Sequence, residues 1–326
     1  MKKLYSLFAV ILLAAGLLGA CGSDTNTKQG KNNKQQEPKS SEEAKTSSFP
    51  VTIKDGTDKE VVIEEKPEKV VSLIPSNTEI LYSVGAGDTV VGVSEHDNYP
   101  EEAAEKEKVA GMELNIEKII SLKPDLVLAH GSAASMWEAG LKQLEDSGIT
   151  VLVVPDAQSF EKVYETIDMI GKATGHDKEA AEVVSGMKEK LEEIKKKAAD
   201  IPENERKSVF VEVSPAPEIY ATGNNTFMNE MLAAVNAENT VKEDGWVKMN
   251  EEAIIALNPD VIITTYGYIE NAADQVMERK GWQDVTAVKE KQVREVDENK
   301  VSRSGPRIVE GVEELAKAIY PDVFGE

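Results

Sequence analysis

Two glutamates occupy the same place in two copies of one sequence. The first copy runs Asn115-Ile116-Glu117-Lys118-Ile119-Ile120-Ser121-Leu122-Lys123-Pro124-Asp125-Leu126-Val127-Leu128. The second runs Asn250-Glu251-Glu252-Ala253-Ile254-Ile255-Ala256-Leu257-Asn258-Pro259-Asp260-Val261-Ile262-Ile263. Asn, Glu, the Ile pair, Leu and Pro-Asp recur in step, and an apolar strand follows each time. In both copies the Asn is a candidate N-cap, so Glu117 and Glu252 fall in the first helical turn, where the helix dipole favours a carboxylate. Local helix stability accounts for one such Glu. It gives no reason for both copies to keep it in the same register. Matching carboxylates on two similar lobes are suited to gripping the cations of one partner from two directions.

Other residues able to do chemistry are few. The chain has three histidines and five arginines. His96 and His130 each follow an apolar run, so they belong at strand ends, where open α/β sheets bind ligands. There an imidazole can donate hydrogen bonds or ligate a metal axially. His176 falls on a turn between helices and is expected to face solvent. Arg307 follows Pro306 at a helix start, an unfavourable place for a cation, so it needs a specific anion, either a ligand or a buried carboxylate. Arg303 lies four residues earlier. Trp246 is six residues before Glu252, in a loop entering the second repeat helix, and is expected to face a cleft. Catalytic signatures are absent: no Gly-x-Ser-x-Gly elbow, no phosphate loop, no zinc-type His cluster and no usable cysteine. Three scattered histidines also speak against a binding protein for free zinc or manganese.

The chain ends and the charge restrict the setting. Lys2 and Lys3 precede an apolar stretch from Leu4 to Leu18, too short for a comfortable bilayer span, so residues 1–20 read as a signal peptide. Leu18-Gly19-Ala20-Cys21 matches the bacterial signal for cleavage before a lipid-bearing cysteine, and Cys21 is the only cysteine. Residues 21–49 are polar and read as a disordered tether. The formal net charge is −22, which excludes nucleic acid as a partner and a basic lipid-docking patch. The expected location is the extracytoplasmic face of the cell membrane, with the lipid on Cys21 as anchor.

These residues must be positioned by alternating strands and helices. Strands are expected at 70–74, 90–93, 126–129, 150–154, 208–213, 261–264 and 292–296. Helices are expected at 116–122, 137–146, 159–174, 226–235, 251–257, 271–279 and 306–318, with Ser76 and Glu79 spaced as a capping box for another. Strands separated by helices predict parallel βαβ construction. Between Asp177 and Ala199, apolar residues at helical spacing predict one long helix with no strand beside it, ended by Pro202. The organisation is therefore an N-terminal lobe (50–175), a connecting helix (176–201) and a C-terminal lobe (202–326).

Five segments in order resemble the cobalamin- and iron-chelate-binding proteins of ABC importers. They are Val71-Ser72-Leu73-Ile74-Pro75-Ser76-Asn77-Thr78-Glu79-Ile80-Leu81 with Gly85-Ala86-Gly87-Asp88, Val91-Gly92-Val93-Ser94 and Tyr99-Pro100; the two repeats; Gly281-Trp282 with Val288-Lys289; and Arg303-Ser304-Gly305-Pro306-Arg307. The likeness covers roughly residues 51 to 322. It implies two Rossmann-like lobes joined by one long helix, of the class III periplasmic-binding-protein type, with ligand in the cleft between lobes and no enzymatic activity or catalytic cofactor. It implies that Glu117 and Glu252 pair with arginines of a permease dimer served by a cytoplasmic ATPase. Tyr220 and Trp246 match two cleft aromatics of cobalamin binders. The pattern departs at His96, at Gly111 (where the adjacent Met112 could fill the space), at His130 and at Asn299. The ligand implied is a metal chelate: cobalamin or a related corrinoid first, then a ferric siderophore, then haem. Arg303 and Arg307 would then be candidates for neutralising an anionic complex, and His96, His130 or Met112 for contact with the ligand or its metal. A purely structural surface lipoprotein would not require the twin glutamates.

Overall fold

The computed structural model describes residues 48–325. The signal peptide, the lipidation site at Cys21 and all but the last two tether residues lie outside the described residues. Among those described, no helix is long and apolar enough to cross a membrane.

Thirteen strands order the described chain. β1 (Val51–Lys54) and β2 (Glu60–Ile63) form an antiparallel hairpin whose alternate residues are buried. Its turn is closed by the Asp55 carboxylate, which accepts from the amides of Thr57 and Lys59. The N-terminal lobe is built on β3 (Val70–Ser72), β4 (Val90–Ser94), β5 (Glu107–Ala110), β6 (Leu126–His130) and β7 (Thr150–Val154), in spatial order β5-β4-β3-β6-β7 and parallel throughout. The C-terminal lobe uses β8 (Ser208–Ser214), β9 (Tyr220–Thr222), β10 (Glu238–Asn239), β11 (Trp246–Lys248), β12 (Val261–Thr264) and β13 (Val293–Glu295), in order β11-β9-β8-β12-β13 with β10 beside the start of β8. Here β8, β10, β12 and β13 run parallel, while β9 pairs antiparallel with β8 and β11 antiparallel with β9. Leu126, Val127, Val261 and Ile262 are essentially inaccessible, as expected for parallel strands covered on both faces.

The repeated sequence folds into the same frame twice. Asn115 and Asn250 cap the helices Ile116–Leu122 and Glu251–Leu257, accepting from the amides of Lys118 (3.0 Å) and Ala253 (2.8 Å). Each helix ends in a left-handed residue, Lys123 or Asn258, and Pro then prevents its continuation. The Asp that follows pins the lobe's first strand: Asp125 accepts from the amides of Glu68 and Lys69, Asp260 from the amide and hydroxyl of Ser208. Only the first Ile of each pair, Ile119 and Ile254, is fully buried; Ile120 is exposed because a seven-residue helix lying on a sheet buries a single stripe.

The long helix spans Asp177–Ala199 and buries Ala180, Val184, Met187, Leu191, Ile194 and Ala198 at spacings of three and four. This stripe belongs to a hydrophobic core that also holds Ile80, Ile167 and Ile170 of one lobe and Met231, Val312 and Leu315 of the other. Separate clusters cover the far face of each sheet.

Candidate functional site

The carboxyl ends of the parallel strands carry the polar residues of the cleft, as the rule for open α/β sheets requires. A pocket of about 210 Å³ opens there, lined from the N-terminal lobe by Asp156, Ala157 and Gln158 and from the C-terminal lobe by Thr222, Trp246, Thr265, Glu298 and Ser304, among others. Among the described residues none that lines it is cationic. Trp246 is 63% exposed on β11. It is held there because Gly223 allows β9 to press against the 243–245 segment; a side chain at Gly223 would collide with the Glu243 carbonyl, and the Gly223 amide donates to Gly245 (2.8 Å).

Arg303 and Arg307 do not line this pocket. Both cross from the C-terminal lobe to one carboxylate of the other lobe. Glu79, 1% exposed on the helix Pro75–Ser83, accepts from Arg303 Nη1 (2.8 Å) and from Arg307 Nε (2.9 Å) and Nη2 (2.6 Å). Arg303 also donates to Asn98 Oδ1 (2.9 Å) and the His96 carbonyl (3.1 Å), and the Arg307 guanidinium lies 3.9 Å from the Tyr99 ring centroid. Burial works against the Arg307 charge, but the bonds to Glu79 more than offset it and raise its pKa. Of the two partners open for Arg307, the structure supplies the carboxylate. The capping box is corrected at the same point: Ile74 is the N-cap, Pro75 opens the helix, and the Glu79 carboxylate is taken by the two arginines.

His130 ends β6 and is buried. Its Nδ1 accepts from the Ser132 amide (3.2 Å), which leaves the proton of the neutral ring on Nε2. Burial lowers its pKa, opposed in part by the charge of Asp156, so the ring is a neutral donor above pH 6.5. Axial metal ligation through Nε2 would require the other tautomer and the loss of the Ser132 amide bond. His96 is exposed and meets Arg303 through its backbone. Met112 is 86% exposed, its carbonyl taken by Trp137 Nε1 (3.3 Å). Beside it a side chain at Gly111 would meet only the end of the flexible, exposed Glu95 side chain, which can swing aside. Tyr220 is partly exposed on β9, opposite Lys248 of β11. Asn299 lies in the helix Glu298–Ser302; its neighbours Glu298, Val301 and Ser302 line the pocket and Asn299 does not. His176 is corrected: its side chain is only 17% exposed, and Nε2 lies 3.1 Å from Lys66 Nζ. Among the described residues no group of three or more His, Cys, Asp or Glu side chains is arranged to hold a metal ion.

On another part of the surface Glu117 and Glu252 are both exposed, and among the described residues neither carboxylate makes a hydrogen bond or ion pair. The adjacent Glu251 is engaged: its carboxylate accepts from Trp282 Nε1 (3.1 Å). Behind Trp282 lies a cluster that sequence reasoning missed. Glu212, fully buried in β8, accepts from Arg279 Nη1 (2.7 Å) and Nη2 (2.6 Å) and from the Tyr266 hydroxyl (2.6 Å). Arg279 also stacks on Trp282 at 4.8 Å. Burial and the Glu212 charge push the Tyr266 hydroxyl far up, so it stays a donor. A lone Glu in an otherwise apolar strand was the one available signal.

A family model described as periplasmic binding protein matches residues 70–300. An uncharacterized ABC transporter substrate-binding lipoprotein of Bacillus subtilis, YvrC, is 51% identical over 327 aligned residues, covering 100% of both chains. A cobalamin-binding protein of Halobacterium salinarum is 29% identical, covering 84% of this chain and 75% of its own. Among solved structures, a possible iron-binding (periplasmic solute-binding) protein of Staphylococcus epidermidis is 40% identical with a TM-score of 0.71, covering 78% of this chain and 100% of its own.

Proposed function

The chain belongs to the periplasmic binding protein family, and from that premise we propose that it is a lipid-anchored, extracytoplasmic receptor that carries a metal chelate to an ABC-importer permease. Cys21 bears the lipid, the interlobe cleft holds the chelate, and Glu117 and Glu252 meet arginines on the two halves of the permease. Two rim contacts of this kind give orientation and encounter rate more than affinity, and tethering by the lipid adds through effective concentration. The protein is a carrier and not an enzyme.

The observation that carries the choice of ligand is electrostatic. The pocket presents an indole, hydroxyls and two carboxylates without a cation, and both nearby arginines are committed to Glu79. An electrically neutral chelate with apolar faces and amide edges, a corrinoid, suits such a surface. In this reading Trp246, which lines the pocket, and Tyr220 would supply aromatic faces, His130 its Nε2–H, and His96, Met112 and Asn299 further contacts to a ligand larger than the pocket. The cobalamin-binding relative supports this reading. A neutral or cationic ferric siderophore is the second reading, supported by the likeness to the possible iron-binding protein of Staphylococcus epidermidis. Haem fits less well, because its carboxylates would face Asp156 and Glu298.

Titration of the purified protein with cyanocobalamin, ferrioxamine B, haemin and zinc, read by tryptophan fluorescence, tests the proposal. Saturable binding of cyanocobalamin is expected, weakened by about 1–3 kcal/mol in Trp246→Ala. Tighter binding of haemin or zinc than of either neutral or cationic chelate would overturn it.

A further inference from the structure

One buried polar atom in the pocket has nothing to bond. Thr222 is 1% exposed, its Oγ1 has no hydrogen-bond partner among the described residues, and the residue lines the interlobe pocket. A buried hydroxyl without a partner carries an uncompensated desolvation cost, and native proteins rarely leave one unless something else satisfies it. Two neighbouring hydroxyls, of Thr226 and Ser302, are differently placed. Thr226 Oγ1 donates to the Gly223 carbonyl and caps its helix, and Ser302 Oγ donates to the Glu298 carbonyl.

Two carboxylates from opposite lobes share the pocket with Thr222. Asp156 follows β7 and accepts from Gln158 Nε2 (2.9 Å). Glu298 is exposed, and its carboxylate makes no hydrogen bond or ion pair among the described residues. A space walled by an orphan hydroxyl and two anionic acceptors, without a cation, has a definite preference. It accepts N–H groups and repels carboxylates.

We propose that this pocket is a subsite for an N–H-bearing arm of the chelate, a primary carboxamide or a protonated amine, with Asp156 and Glu298 accepting its N–H groups and Thr222 Oγ1 completing the contact. The proposal rests on the cleft-binding reading above and adds to it the residues that select ligand charge. Asp156 and Glu298 come from different lobes, so the arm would be held from both sides of the cleft.

The test compares cobinamide, whose rim bears amides, with cobyrinic acid, its carboxylic counterpart, and includes ferrioxamine B for its protonated amine. Wild-type protein should prefer cobinamide over cobyrinic acid by about tenfold or more, the worth of one or two polar contacts. In Asp156→Asn with Glu298→Gln that preference should shrink several-fold. Thr222→Val, nearly isosteric, should weaken cobinamide or ferrioxamine B binding while the melting temperature of the ligand-free protein holds or rises, because the valine has no orphan hydroxyl. Equal discrimination in wild type and the double variant would overturn the subsite while leaving a chelate carrier. Failure of the corrinoids and ferrioxamine B alike to bind would overturn the carrier reading and the subsite with it.

Discussion

The two lobes share a frame and differ in one buried position. In each, an Asn-capped helix, a left-handed stop, Pro-Asp and an apolar strand lie beside the lobe's first strand. Val70 pairs with Leu126 in one lobe as Val209 pairs with Val261 in the other. Three residues further on, the N-terminal lobe has Leu73 and the C-terminal lobe has Glu212, both essentially inaccessible. Leu73 packs into an apolar cluster with Ile119 and Trp137, whereas Glu212 takes a bidentate arginine and a tyrosine. The frame therefore does not need a charge at this point. The C-terminal charge is an addition, and its arginine stacks on the tryptophan that bonds Glu251, next to Glu252. One lobe holds its exposed glutamate on an apolar base, the other on an ion-paired one.

The largest effect should come from the feature the lobes share. Glu117→Ala with Glu252→Ala should reduce uptake to that of a strain lacking the protein, while chelate binding in solution is retained. Each single change should leave partial uptake, and a large inequality between them would show that the permease reads the lobes differently. Next is the position where they diverge. Glu212→Ala leaves Arg279 buried without its partner and should cost about 3–5 kcal/mol in urea unfolding. Leu73→Ala should cost about 2–5 kcal/mol by cavity formation. Glu212→Leu with Arg279→Met should recover most of the loss if the cluster is dispensable to the frame; no recovery would mean that the C-terminal lobe depends on it. A smaller effect tests the equivalence of the pins. Asp125→Ala and Asp260→Ala each strand two donors at a strand start and should cost about 1–2 kcal/mol apiece.

The smallest effect separates the lobes by pH. All three histidines precede residue 177, and burial is the main cause lowering the pKa of both His130 and His176. A folded pKa below the unfolded value of 6.5 means that the unfolded chain takes up protons first as pH falls. The stability these rings contribute is thus full above 6.5 and lost as pH drops through their folded values. Hydrogen exchange should loosen β6 and β7 before β8 and β12 between pH 7 and 5; simultaneous loosening would remove the histidines as the cause.

The shared frame was legible in the sequence because local rules write it: cap, first-turn acid, Pro stop and apolar run. The long helix was equally plain from its spacing. The antiparallel strands β9 and β11 were missed because three residues are too few to show alternation, and the β1–β2 hairpin because it precedes the repeating βα pattern. The partner of Arg303 lies 224 residues away at Glu79, and no local signal connects them. At Glu79 a correct spacing even misled, since its carboxylate served a tertiary partner instead of a helix end. The pocket residues Asp156, Thr222 and Glu298 went unnoticed for a related reason. They are ordinary polar residues at strand and helix ends, brought together only by the docking of the lobes.

The long helix places its buried stripe in a core that belongs to both lobes at once. Removing either lobe would strip one side of that stripe and leave Val184, Met187 and Leu191 without cover. The lobes are thus unlike beads on a string: denaturant should meet one cooperative transition, and neither half should fold when expressed by itself. A chelate captured at the cleft would then raise the melting point of the entire folded body, giving a single thermal readout of occupancy that needs no label and no permease.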